Sequence, residues 1–143
     1  MASDVAQLLR MTQKELDDLF TASEPGPIPD GKADGTAIIA SGTAYSAEIA
    51  TLINHFAWQG KVFDAKAGRL KNLISPFGLN AIIAKIYKEA SWLDGKECIV
   101  LDYSETSVVA QRIRDEIRLI SPQFYLGKVY WDKKRLFDFS LKF

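Results

Sequence analysis

The sequence predicts a mainly β (α+β) fold: a small antiparallel β-barrel with N-terminal helices. From Trp58 onward, short β-branched or aromatic segments are separated by turn signals. Sequential strands with short links form an antiparallel meander, which must cover its edges or close into a barrel. An amphipathic stretch and a connector rich in proline and glycine precede these segments. The length of 143 residues fits one domain.

The first element is an N-terminal helical arm over residues 1–22, where apolar residues recur at spacings of three and four. Thr12 and Glu15 match a capping box, in which the side chain of each residue accepts a hydrogen bond from the backbone amide of the other. We therefore expect two short helices with a break near Met11. The apolar stripe of the arm is a candidate surface for a homodimer, and it could equally pack against the outside of the barrel.

Residues 23–35 form the predicted connector, because proline fixes φ and removes amide donors. The barrel domain is then predicted over 36–143, within a single domain overall, since a helical arm of this size cannot form a core alone. Its first elements are an apolar strand at 35–42 and a helix at 46–57, with Ser46 as a plausible N-cap.

The end of the chain gives the clearest strand pattern. Apolar residues alternate there with polar ones, which is typical of a strand with one buried face. The apolar positions are Phe137, Phe139, Leu141 and Phe143.

Residues 106–122 fit two structures, and the choice between helix and strand over 107–120 controls every inward-facing assignment. As a helix, the segment has an apolar face that includes Ile113 and Ile117. As a strand, it places Asp115 on the face of these isoleucines and the charged residues Arg112, Arg114, Glu116 and Arg118 on the other. Alanine, glutamine, arginine and glutamate favour the helix, whereas β-branched residues favour the strand. The strand is slightly preferred because a long strand fits a barrel.

Charge and composition exclude several classes of protein. The 18 basic and 18 acidic residues cancel, so no electrostatic footprint for nucleic acid exists. No apolar run approaches the length of a membrane span, and the N-terminus does not resemble a secretory signal. One cysteine, Cys98, and one histidine, His55, cannot form a common zinc site or a disulfide. We expect a cytoplasmic protein without metal or cofactor.

Three stretches carry a resemblance to a known family. They are "WQGKVF" at 58–63, "DGKECIVLDYS" at 94–104 and "YLGKVYW" at 125–131. With the final aromatic strand, their order resembles that of small bacterial lipocalin-like (calycin-type) barrels of the GXWXG/DUF4334-like group. The resemblance implies a barrel that holds a hydrophobic small molecule. Such barrels include carriers and a minority of enzymes, and no catalytic set can be matched residue by residue.

Candidate acid–base residues follow from the strand interpretation of 106–122. Asp115 would be a single acid among Ile113, Ile117 and Leu119, and burial among apolar groups shifts a carboxyl pKa. Its predicted catalytic partners are Asp102 and Tyr103, with Arg112 or Lys61 steadying developing negative charge. The sole histidine, His55, is a packed residue at a helix end or, as the functional alternative, a general base at the barrel mouth.

Further polar and aromatic residues are predicted to surround a hydrophobic cavity and to orient a polar-headed ligand. They are Lys61, Tyr87, Arg112, Glu116, Tyr125, Tyr130 and Trp58. For each tyrosine, a buried ring with a hydrated hydroxyl is the structural alternative.

The predicted function is binding of a hydrophobic small molecule inside the barrel. A lipid, polyketide or isoprenoid-like compound with an acid or carbonyl head group would suit the predicted lining. The alternative is a cofactor-independent isomerase, cyclase or lyase that acts on an apolar carbonyl substrate in the same cavity. The sequence does not decide whether the protein is a carrier or an enzyme.

Overall fold

The computed structural model describes residues 4–39, 61–72, 82–104 and 111–143, and for residues 71, 72 and 82 it describes the backbone. In these residues two short helices precede eight antiparallel strands, which form a closed barrel in sequence order. The mainly β fold, a small antiparallel barrel with N-terminal helices, is thereby confirmed. The elements are α1 Val5–Leu9, α2 Gln13–Ala22, β1 Gly31–Ile38, β2 Lys61–Asp64, β3 Arg69–Asn72, β4 Ile82–Ala90, β5 Glu97–Asp102, β6 Ile113–Ser121, β7 Phe124–Trp131 and β8 Lys134–Lys142.

The two helices begin where local capping dictates. Asp4 caps α1 by accepting from the amide of Gln7, and Thr12 caps α2 by accepting from the amide of Glu15. The Glu15 carboxylate accepts in turn from the Thr12 amide at 3.0 Å, which completes the predicted capping box. The expected break near Met11 separates the helices.

The arm packs against the outside of the barrel. Leu8, Leu16 and Phe20 are fully buried against apolar residues that point outward from the strands. Those strand residues are Ile38, Cys98, Val100, Ile120, Phe124 and Leu126. Of the two roles predicted for the apolar stripe, the structure therefore shows packing on the barrel. No helix in the described parts of the chain is long and apolar enough to cross a membrane.

β1 starts earlier than the apolar run at 35–42 predicted, within the segment 23–35. Gly31 to Ala33 pair with β2, and Asp34 to Ile38 pair with β8. Hydrogen bonds to two neighbouring strands extend β1 through glycine and charged residues that intrinsic propensity disfavours. The predicted helix at 46–57, with Ser46 and His55, lies outside the described residues, and so does Trp58.

The ambiguous segment is a strand over Ile113–Ser121, and a helix there is wrong. β6 pairs with β5 on one side and with β7 on the other. A central strand gains ladder hydrogen bonds on both edges, and these outweigh the helical propensity of its arginines and glutamate.

β8 shows the predicted alternation but not a solvated second face. Phe137, Phe139 and Leu141 point into the barrel, and the outward Asp138 and Ser140 are also fully buried. The arm covers this outer face, since Gln13 of α2 donates to Asp138. Pattern alone could not show this second layer.

The strand directions fix which connections share an end of the barrel. One end, which we call the connector end, carries the turns 65–68, 91–96 and 122–123 together with residues 24–30. At the opposite end β1, β3, β5 and β7 end, and β2, β4, β6 and β8 begin.

Candidate functional site: a buried polar trio inside the barrel

The barrel interior is lined mainly by aliphatic and aromatic side chains. Every second residue of each strand points inward, so the lining follows from the two-residue period of the strands. The buried members are Ala33, Phe63, Leu70, Ala84, Ile86, Ile99, Leu101, Tyr103, Ile113, Ile117, Tyr125, Val129, Leu136, Phe137, Phe139 and Leu141.

Aromatic rings fill the interior at the connector end. The Phe143 ring packs edge-on against Phe63 and Tyr125, with centroid distances of 5.2 and 5.6 Å. The Tyr125 hydroxyl donates to the carbonyl oxygen of Pro27 at 2.7 Å, which ties the connector across this end. Tyr125, predicted as a ligand contact, thus has a hydrogen-bonded role where the connector crosses the barrel.

Within this lining, the polar groups of Lys61, Tyr103 and Asp115 lie next to one another. Lys61 Nζ donates to the Tyr103 hydroxyl at 2.9 Å, and that hydroxyl donates to Asp115 Oδ2 at 3.2 Å. Lys61 Nζ also lies 3.7 Å from Asp115 Oδ2. Of the predicted acid–base set, the structure therefore brings together Asp115, Tyr103 and Lys61. We call these three residues the polar trio.

Strand geometry explains why the polar trio meets. Lys61 is the first residue of β2, Tyr103 directly follows β5, and Asp115 is the third residue of β6. All three occupy inward positions, and each lies nearer the opposite end than the connector end. β2 and β5 are not neighbours in the sheet, so Lys61 and Tyr103 meet only because the sheet closes into a barrel.

Burial dominates the electrostatics of the polar trio. The side chains of Lys61 and Asp115 are 2% and 4% exposed. Desolvation raises the pKa of Asp115 to about 6, although Lys61 and the Tyr103 hydrogen bond partly oppose it. Desolvation likewise lowers the pKa of Lys61 to about 8, against the attraction of Asp115. Both groups therefore titrate close to neutral pH.

One oxygen of the polar trio, Asp115 Oδ1, has no hydrogen-bond partner among the described residues. Both contacts of the Asp115 carboxylate use Oδ2, and Oδ1 is buried without a hydrogen bond among the described residues. A buried carboxylate oxygen without a partner loses the hydrogen bonds that water would supply. The arrangement can therefore accept one more hydrogen bond, or exchange a proton with a molecule inside the barrel.

The ring of Phe139 also contacts the polar trio. Lys61 Nζ lies 5.7 Å from the Phe139 ring centroid, within the range of a cation–π contact. Phe139 itself packs over Gly127, where a Cβ atom would overlap the ring. The alternation of β8 predicted that Phe139 faces inward, but no sequence signal pairs it with Lys61.

Asp102 and Tyr87 lie away from the polar trio, on the outer face of the barrel. The Tyr87 hydroxyl donates to Asp102 Oδ2 at 2.8 Å, and the side chains of both residues line a surface groove of about 350 Å³. Arg112 lines the same groove and pairs with Asp132, with both side chains more than half exposed. Residues 102 and 115 have opposite pleat phases, so their side chains cannot meet inside the barrel.

Glu116 is buried outside the barrel wall, where its bonds hold the 91–96 turn. Its carboxylate accepts from Ser91 Oγ at 2.6 Å, from the Trp92 amide at 2.8 Å and from Arg114 Nε at 3.1 Å. Arg114 also stacks over the Trp92 ring at 4.3 Å. Glu116 was predicted to line the ligand cavity, but its side chain lies on the outer face, where the 91–96 turn covers it. With both oxygens satisfied, Glu116 has a structural role.

The arm covers another buried cluster of outward side chains, which includes Tyr130, a predicted ligand contact, and ion pairs that the sequence did not predict. Lys128 Nζ contacts Asp17 and Asp138 at 2.7 Å each, and Arg135 contacts Asp17 at 2.8 Å. The Tyr130 hydroxyl is buried without a partner in the described residues and lies on this outer side, against Trp92. The ion pairs of Lys128 and Arg135 with Asp17 fasten α2 to the barrel.

The last predicted ligand contact, Trp58, and the candidate base His55 lie outside the described residues. Across the described residues, no group of three His, Cys, Asp or Glu side chains could hold a metal ion. The free thiol of Cys98 is buried between barrel and arm, and burial raises its pKa to about 12.

Comparison with known proteins supports the fold. No family model and no curated protein matches the chain. Among solved structures, the crystal structure of a protein from Thermomonospora curvata is similar, with a TM-score of 0.66 and 18% sequence identity. The similarity covers 96% of this chain and 91% of that one. At this identity it shows a shared fold, and the function must be argued from the site.

Proposed function

We propose that this protein binds a hydrophobic small molecule inside the barrel, with the polar part of the molecule at Lys61, Tyr103 and Asp115. The observation that carries the proposal is the buried Asp115 carboxylate, which lies in a mainly apolar interior and keeps one oxygen without a hydrogen bond among the described residues. A few convergent polar groups in an apolar cavity are typical of small-molecule sites. The resemblance to lipocalin-like barrels agrees with this role.

The contrast between the two faces of β6 supports the proposal. Outward-pointing Glu116 and Arg118 use their polar groups in bonds to the protein itself. Inward-pointing Asp115 keeps one oxygen unbonded within the described residues. Buried charge that serves stability alone is expected to be fully paired. An incompletely paired inward charge instead suits recognition of a ligand.

Native mass spectrometry of the purified protein, followed by extraction, tests the proposal. We expect a bound apolar compound, or a mass increase when the protein is incubated with fatty alcohols and isoprenoid alcohols. The variant Lys61→Met/Asp115→Leu should retain the fold and bind these compounds more weakly. Absence of any bound species in the wild-type protein with all of these compounds would argue against a binding barrel.

A second candidate is a cofactor-independent acid–base enzyme, which the near-neutral pKa values of Asp115 and Lys61 favour. In this mechanism the Asp115 carboxylate removes a proton from the carbon next to a substrate carbonyl. Tyr103 and Lys61 then stabilise the enolate oxygen. The reaction class would be isomerisation, cyclisation or elimination of an apolar carbonyl compound.

Deuterium exchange at the carbon next to the carbonyl of 2-acetylnaphthalene tests this candidate without knowledge of the natural substrate. A catalytic Asp115 predicts that the exchange rate falls by roughly 10²–10⁴-fold in Asp115→Asn. Asp102→Asn should keep the wild-type rate, because Asp102 lies on the outer face. If wild-type protein exchanges no faster than buffer, the acid–base candidate is rejected and the binding proposal is unaffected.

A further inference from the structure

We propose that the ligand presents an uncharged hydrogen-bond donor, an alcohol, phenol or enol hydroxyl, to Oδ1 of Asp115. This inference rests on the proposed function and narrows the class of ligand. It replaces the acid head group that the sequence suggested with a neutral hydroxyl.

The hydrogen bonds within the polar trio determine which kind of ligand atom can bind to Asp115. Tyr103 donates to Oδ2 at 3.2 Å, and Lys61 Nζ stands 3.7 Å from the same oxygen. Oδ1 is buried with no donor among the described residues. A carboxylate oxygen accepts hydrogen bonds, so the complementary ligand atom carries a hydrogen. An ether, ester or ketone oxygen offers only lone pairs and would be repelled.

The charge of the polar trio excludes an acidic head group. Lys61 and Asp115 carry opposite charges at pH 7, because their pKa values are about 8 and about 6. The trio is then neutral overall, and Lys61 already neutralises Asp115. A ligand carboxylate would bring a second negative charge next to Asp115 in an apolar interior without a second cation among the described inward residues. A neutral hydroxyl adds no charge.

The comparison with Asp138 shows why the inference applies to Asp115. Asp138 also has one unpartnered oxygen, but its other oxygen contacts Lys128 at 2.7 Å beneath α2. Its surroundings are the charged residues Lys128, Asp17 and Arg135 between barrel and arm. Asp115 instead lies among Ile113, Ile117 and other apolar lining residues. Of the two carboxylates, Asp115 is therefore the one whose described surroundings match the apolar body of a ligand.

Isothermal titration calorimetry at pH 7 with two matched series tests the inference. One series is 2-naphthol, 2-methoxynaphthalene and 2-naphthoate, and the other is 1-decanol, 1-methoxydecane and decanoate. In each series the apolar body is constant and the head group changes from donor to acceptor to anion. We expect the hydroxyl compound to bind roughly tenfold or more tightly than its methyl ether, since a hydrogen bond to a charged acceptor has that effect. The carboxylate should bind more weakly than the alcohol.

Two variants make the test specific to Asp115. In Asp115→Leu the preference for hydroxyl over ether should fall to about one, while the ether still binds. Asp132→Asn, at an exposed position on the β7–β8 turn, should keep the wild-type preference. Circular dichroism of each variant shows that it is folded.

The outcomes separate the two proposals. If ether or carboxylate binds wild-type protein as tightly as the alcohol, the head-group inference is wrong and the binding function stands. If the hydroxyl preference survives in Asp115→Leu, another group accepts the hydrogen bond and the inference is also wrong. If no member of either series binds wild-type protein, the binding function and the inference fall together.

Discussion

Replacement of Lys61 and Asp115 by apolar residues of similar size, Lys61→Met/Asp115→Leu, should stabilise the protein at pH 7. Burial raises the pKa of Asp115 from 3.8 to about 6 and lowers that of Lys61 from 10.5 to about 8. Since one pKa unit corresponds to about 1.4 kcal/mol, each charge destabilises the folded state by about 3 kcal/mol. Replacement of a buried ion pair by apolar residues can raise the free energy of unfolding by about 1–4 kcal/mol, and we expect an increase in that range here.

Urea denaturation followed by circular dichroism measures this gain as a shift of the midpoint at constant slope. Each single variant should be less stable than the double variant, because it leaves one buried charge unpaired. The matched control is Arg118→Met/Asp94→Leu on the outer face. Its free energy of unfolding should fall by several kcal/mol. The Arg118 guanidinium also donates to the backbone carbonyls of Phe20, Lys96 and Glu97, and its removal leaves them without these hydrogen bonds.

A double variant at Lys61 and Asp115 that is less stable than wild type by more than about 1 kcal/mol would refute the reasoning. The polar trio would then serve the fold, as the outer charges do. A gain in stability would mean that the protein keeps a destabilising pair for a reason outside folding, which is expected at a functional site.

Further predictions concern pH, packing, the thiol and the arm. Between pH 8 and 9.5 the free energy of unfolding of the wild-type protein should rise, because the pKa of Lys61 is about 8 in the folded state and 10.5 in the unfolded state, which therefore binds more protons. Urea titrations of Lys61→Met should lack this rise. Gly127→Ala should lower the free energy of unfolding by about 1–3 kcal/mol, and the melting temperature with it, because the added Cβ atom overlaps the Phe139 ring. Adding Phe139→Leu to this variant should restore part of the lost stability. The Cys98 thiol should react with a disulfide reagent only after unfolding, whereas fast reaction in the native protein would contradict its burial. Deletion of residues 1–22 should unfold or aggregate the protein in size-exclusion chromatography, and a stable monomer would show that the arm is dispensable.

Local sequence determined the elements whose signals are short in range. The capping box at Thr12 and Glu15 placed the start of α2, because both partners lie within one helical turn. The alternation over residues 137–143 set the inward face of β8, because a strand has a period of two. Asp115 could be singled out as an acid on an apolar face once β6 was taken as a strand, for the same reason.

Tertiary structure decided what the pattern left open. Residues 113–121 form a strand because β5 and β7 pair with it on both edges, and no local propensity carries that information. Asp102 and Glu116 were predicted as site residues, but pleat phase places both outside the barrel, and the 91–96 turn covers Glu116. A residue's burial depends on what packs over it from distant parts of the chain.

Sequence alone therefore predicted the antiparallel barrel with N-terminal helices, and it named Lys61, Tyr103 and Asp115 in a set of candidates that also held Asp102 and Arg112. Closure of the sheet decided that these three side chains meet, because β2 becomes opposed to β5 and β6 only when β1 pairs with β8. Closure also decided that their charges are desolvated and that one carboxylate oxygen remains unbonded within the described residues. Sequence period fixes the face of a side chain, whereas the folded barrel fixes its neighbours and its dielectric surroundings.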